Sequence, residues 1–222
     1  PEINRYGDAL GLQELRDALK IKLRRENHIE GREVMVTAGA NQAFVNVVNC
    51  LVDEGDRVVL FAPYYFSHKI ALQLARADVQ VCDTDAFFQP DFRDLHRILN
   101  ESKHAGKPVK MMAITNPGNP SGAVWSGDTI RLLQDVCSQW GVWLVSDETY
   151  EYFTYGGAEH VSPNASNGVV NIYSFSKSFG MAGWRVGYAA YPPSIAEAME
   201  KVQDTIVTMP TMLSQYVALE AL

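Results

Sequence analysis

Apolar positions along the chain fall into two alternating rhythms. Between residues 11 and 26, Leu12, Leu15, Leu19 and Leu23 recur at helical spacing with charges between them, which predicts a helix. Val34-Met35-Val36-Thr37 is a short apolar strand, and Ala38-Gly39-Ala40-Asn41 turns into a helix carrying Phe44, Val47, Val48 and Leu51. Asp53-Glu54-Gly55-Asp56 ends that helix, residues 57–61 form the next strand, and Pro63 stops it. The same reading predicts helices around 67–76, 91–101 and 127–139, and strands over 79–82, 109–114, 142–145, 169–173 and 186–190. Short, continuously apolar strands separated by helices imply a sheet buried on both faces. The expected fold is a three-layer α/β/α domain with a mixed, mostly parallel sheet. It covers residues 29–222, preceded by an N-terminal arm and helix over 1–28.

In open α/β sheets, ligands bind beyond the carboxyl ends of the strands. Five polar clusters fall at such ends: Ala38–Asn41, Pro63-Tyr64-Tyr65, the run from Thr115 to Gly122, Asp147-Glu148-Thr149-Tyr150, and Ser174-Phe175-Ser176-Lys177. Lys177 sits among hydroxyls, and Arg185 follows eight residues later. A lysine in such a pocket can form a Schiff base with an aldehyde, while hydroxyls and an arginine hold a phosphate. Pyridoxal phosphate carries both groups.

That cofactor also needs an acid beside its pyridine nitrogen, backbone N–H groups for its phosphate and an aromatic face for its ring. Asp147 ends an apolar strand, where a bare carboxylate is costly unless paired. Gly39, Ala40 and Asn41 open a helix, and Ser174, Ser176 and Arg185 can complete a phosphate site. Tyr65 offers a stacking ring, and Asn119 and Tyr150 can hydrogen-bond the phenolic oxygen. Singly, these residues read as well or better otherwise: Asp147 as a cap, Gly39 as a tight turn, Tyr65 and Tyr150 as core aromatics, His68 as a structural histidine, Arg185 as half of a surface ion pair. The combination in this order carries the cofactor reading.

Composition narrows the partners. The net charge is −7 with no basic face, which argues against nucleic acid. No run approaches the ~18 apolar residues of a membrane-spanning helix. Cys50, Cys82 and Cys137 are far apart and form no Cys/His cluster, so no zinc site is expected. Sparse, unpaired thiols fit small core residues of an intracellular protein. No G-x-G-x-x-G follows the first strand, which excludes a nicotinamide dehydrogenase of the usual kind. The start at Pro1 and the helical end over 218–222 suggest a fragment, so the compartment stays open between cytoplasm and organelle.

The motifs resemble those of the class I/II aminotransferases, the fold-type-I enzymes related to aspartate and kynurenine aminotransferases. The Asn-Pro-x-Asn-Pro-Thr-Gly element stands here as Asn116-Pro117-Gly118-Asn119-Pro120-Ser121-Gly122, with serine for threonine. Asp147 to Tyr150 matches Asp-Glu-x-Tyr, and Ser174 to Gly187 matches the whole Ser-x-Ser-Lys-x-x-Gly-x-x-Gly-x-Arg-x-Gly element. The resemblance implies transamination between an L-amino acid and a 2-oxo acid through an aldimine at Lys177. It implies that Asp147 binds the pyridine nitrogen, that Asn119 and Tyr150 bind the phenolic oxygen, and that Ala40, Asn41, Ser174 and Arg185 bind the phosphate. Tyr65 would stack on the ring, His68 would support Asp147, and Tyr6 would reach the phosphate in the neighbouring subunit of a homodimer. The arginine for the substrate carboxylate would lie beyond residue 222. The same cofactor residues suit a lyase on this scaffold, such as a carbon–sulfur β-lyase or an aminocyclopropane-carboxylate synthase. A non-catalytic PLP-sensing regulator would need an upstream DNA-binding module, and residues 1–30 contain no basic recognition helix.

Overall fold

The computed structural model describes residues 2–222. Helix α1 (Gln13–Glu26) leads to β1 (Glu33–Thr37), α2 (Ala40–Leu51), β2 (Arg57–Phe61), α3 (Phe66–Leu74) and β3 (Asp78–Cys82). Then come α4 (Phe92–His104), β4 (Val109–Thr115), α5 (Gly127–Trp140), β5 (Trp143–Asp147), β6 (Val169–Ser174), β7 (Gly187–Tyr191), α6 (Ala196–Ile206) and α7 (Met212–Ala221). The seven strands form one sheet in the order β1-β7-β6-β5-β4-β2-β3. Pairs from β3 through β6 are parallel, whereas β7 runs antiparallel to both β6 and β1. The mixed, mostly parallel sheet expected from the apolar runs is present.

Alternate strand residues feed opposite layers, because successive side chains leave a strand on opposite faces. Val58 and Leu60 join Phe44, Val47 and Leu72 on the α2–α3 side. Val59 and Phe61 join Leu95, Leu99 and Leu133 on the α4–α5 side. The helix read from Leu15, Leu19 and Leu23 packs those residues with Val34, Tyr173, Tyr188 and Ala218 against the β1–β7–β6 end of the sheet. It starts at Gln13 rather than residue 11, because Gly11 takes a φ of +101°. Helix α6 had no counterpart in the apolar pattern; only Met199 and Gln203 of its residues are buried.

The order of strands locates the binding crevice. The chain moves from β2 outward to β3, then returns past β2 to β4. This reversal opens a gap at the carboxyl ends of β2 and β4, where the loops diverge.

Candidate active site

Those loops enclose a cleft of about 280 Å³. The ends of β4 and β5 bring Thr115, Asn119, Asp147 and Tyr150 to it, β6 and its turn bring Ser174, Ser176 and Lys177, and the start of α3 brings Tyr65. Ala40 and Asn41 of α2 and Arg185 complete one corner. Ten of the thirteen residues named from the sequence therefore line one cavity.

Asp147 forms the floor. Its carboxylate is buried, accepting from His68 Nε2 at 3.0 Å and from the Thr149 backbone N–H at 3.0 Å. Burial alone pushes the carboxyl pKa up, but the hydrogen bond and charge of His68 and the Thr149 contacts outweigh it and hold it below the usual range. His68 is itself fixed by stacking on Phe44, with ring centroids 3.9 Å apart and an interplanar angle of 18°. It stands behind the aspartate rather than in the cleft.

The corner built by α2 is suited to an anion. Helices α4 and α5 begin with capping side chains, Asp91 and Ser126. Helix α2 begins at Gly39 with no side-chain cap, leaving its first N–H groups facing the cleft. Gly39 lies outside the cavity lining, but it shapes this corner. Its φ of +89° and ψ of 166° suit glycine alone, and a Cβ there would lie 2.2 Å from Arg185 Nη2. Arg185 is held by donating to the carbonyls of Ala182 at 3.0 Å and Ala38 at 3.2 Å, and to Ser176 Oγ at 3.4 Å. Gly187 lets the start of β7 pass under this corner: a Cβ would meet Ala40 N at 2.6 Å and Gly39 C at 2.7 Å.

Lys177 projects from the turn after β6 into the open side of the cleft, with Nζ 6.0 Å from the Tyr150 ring centroid. Among the described residues, the side chains of Asn41, Tyr65, Asn119, Tyr150 and Lys177 make no hydrogen bond or ion pair to protein. Tyr6 lies apart, 86% exposed and outside the cleft. The sequence reading missed Thr115, Thr149 and Ala182 as lining residues. Thr149 stood inside a motif already singled out, and only its backbone role was invisible. Ala182 contributes a carbonyl, which no residue-type signal reports.

The fold and this cleft define an α/β domain in which strand ends gather an unpaired lysine, a buried carboxylate and a corner suited to an anion. Residues 1–222 match the family described as aminotransferase class I and II, and the chain belongs to that family. It is 44% identical to the aromatic aminotransferase ISS1 of Arabidopsis thaliana, covering 100% of this chain and 57% of that protein. It is 34% identical to the probable aspartate/prephenate aminotransferase of Aquifex aeolicus, covering 98% of this chain and 56% of that protein. The crystal structure of the aromatic aminotransferase from Pyrococcus horikoshii superposes with a TM-score of 0.90 at 32% identity, covering 97% of this chain and 59% of that one. The chain thus spans a little over half the length of the curated relatives it matches.

Proposed function

We propose that this chain is the cofactor-binding part of a pyridoxal-phosphate-dependent aminotransferase. The observation that carries the reading is the set of five unpartnered polar side chains converging on a cleft whose floor is a buried carboxylate and whose corner is a guanidinium beside an uncapped helix start. When bound, pyridoxal phosphate supplies an aldehyde and an electron-withdrawing pyridinium ring. Lys177 Nζ is the amine that would hold the aldehyde carbon, and when free the same nitrogen would take the proton from the substrate α-carbon. Asp147 keeps the ring nitrogen protonated, and its depressed pKa means that it remains a carboxylate while doing so. Ala40 and Asn41 N–H groups, Ser174, Ser176 and Arg185 hold the phosphate; Asn119 and Tyr150 orient the phenolic oxygen; Tyr65 covers one ring face.

The 44% identity to a protein named as an aromatic aminotransferase supports an aromatic amino donor. The exposed Tyr6 fits a role across the interface of a homodimer.

Borohydride trapping of the full-length protein loaded with pyridoxal phosphate tests the assignment. A covalent adduct on Lys177 that vanishes in Lys177→Ala supports it, and an adduct surviving in that variant refutes it.

A further inference from the structure

Beneath the cleft lies a second group of buried charges with no part in holding the cofactor. Glu148 is fully buried and accepts from Asn171 Nδ2 at 2.8 Å and from the Ser162 hydroxyl. His160 Nε2 lies 3.1 Å from its Oε2, although not aligned as a good hydrogen bond. Glu151 receives Lys22 Nζ at 2.6 Å and Asn27 Nδ2 at 2.8 Å. Lys22 is 5% exposed, with its ammonium 4.8 Å from the Tyr173 ring centroid. The Asn27 amide, 3.1 Å from Ser162 Oγ, joins the two halves into one network.

The spacing of these carboxylates repeats. Asp147 faces the cleft, and the next residue, Glu148, turns into the protein. Tyr150 faces the cleft, and the next residue, Glu151, also turns into the protein. Two of the three cleft-facing residues on this segment, Asp147 and Tyr150, are thus each followed by a buried carboxylate tied to distant elements: β6 through Asn171, and the end of α1 through Lys22 and Asn27. Buried ion pairs are poor sources of stability compared with apolar residues of the same size, and their best-attested use is to fix a geometry.

We infer that Glu148 and Glu151 are positioning residues, which lock the 147–151 segment so that Asp147 and Tyr150 meet the cofactor in register. The inference rests on the proposed cofactor site. Neither carboxylate touches that site; both act through the backbone they anchor. The partners Lys22 and Asn27 lie more than a hundred residues away in the chain.

The test uses the full-length protein with pyridoxal phosphate, comparing wild type, Glu151→Gln and the double variant Lys22→Met/Glu151→Leu. The double variant replaces the ion pair by apolar groups of similar size, and so keeps the fold if the single variant loses it. The readouts are the thermal midpoint of the apoprotein, the visible circular dichroism of bound cofactor and its dissociation constant. We expect the double variant to keep a thermal midpoint near wild type, yet to show a reduced dichroic band and cofactor binding weaker by about tenfold. Glu197→Gln, which breaks an exposed pair with Lys201, should change none of the three readouts. A double variant whose band and dissociation constant match wild type within about twofold overturns the inference, because the network is then only packing. Wild type that takes up no cofactor instead refutes the proposed function, and the inference falls with it.

Discussion

Replacing Gly39 by alanine should damage the phosphate corner in two separable ways. The backbone at φ +89°, ψ 166° lies in a region that only glycine occupies readily, so alanine costs about 1–3 kcal/mol whether or not a ligand is bound. The new Cβ would also sit 2.2 Å from Arg185 Nη2. The guanidinium must retreat from its 3.2 Å contact with the Ala38 carbonyl, and with it would go the charge-assisted bond proposed to the phosphate. A hydrogen bond to a charged group contributes about 1.5–3 kcal/mol, which corresponds to roughly 10- to 150-fold in cofactor affinity. Thermal melts of apoprotein measure the first effect, and a fluorescence titration with pyridoxal phosphate measures the second. In an Arg185→Ala background the alanine should add little to the affinity loss, since both changes act on one contact. Gly39→Ala binding pyridoxal phosphate within about twofold of wild type would refute the geometry of this corner.

Other consequences follow from the same structure. Asp147→Ala should still bind pyridoxal phosphate but lose at least about 10²-fold in turnover in the full-length enzyme, because the ring loses its charge partner; near-normal turnover would remove Asp147 from its role. Gly187→Ala should destabilise the fold by about 1–3 kcal/mol, since its Cβ meets the Ala40 and Gly39 backbone rather than a movable side chain; an unchanged thermal midpoint would contradict the packing. Burial pushes His160 down, but the Glu148 contact and the charge of Glu151 outweigh burial and the opposing Lys22, so its pKa lies above the ordinary 6.5. A raised value means stability present below pH 6.5 and lost as pH rises through the folded pKa, so apoprotein melts should fall as pH rises from 6.5 through that pKa and His160→Gln should flatten the fall. Asp147 has the opposite sign: its depressed pKa gives stability present above the ordinary 3.8 and lost as pH falls through the folded value, which Asp147→Asn should abolish.

Much of the fold was legible because parallel strands buried on both faces leave short apolar runs, as in residues 58–61 and 143–145. The strand ends then marked the cleft, since polar residues there have a rule of topology behind them. Helix α6 escaped because it buries Met199 and Gln203 and little else, too sparse for a helical stripe. In α1 the apolar stripe was visible, but Lys22 read as one more charge between apolar positions. Its burial depends on Glu151, Asn27 and the Tyr173 ring, which only the folded chain brings together. The role of Gly39 was half legible: a helix-opening glycine was evident, whereas its steric conflict with Arg185 spans 146 residues and belongs to the tertiary structure.

The most direct test of the central claim is a spectral titration of the full-length protein, loaded with pyridoxal phosphate, with an aromatic amino acid and no added oxo acid. Transamination predicts conversion of the aldehyde form to the amine form, with one equivalent of the matching 2-oxo acid released per site and no free ammonia. Release of ammonia with the cofactor unchanged, or no spectral change with any amino acid, would contradict it.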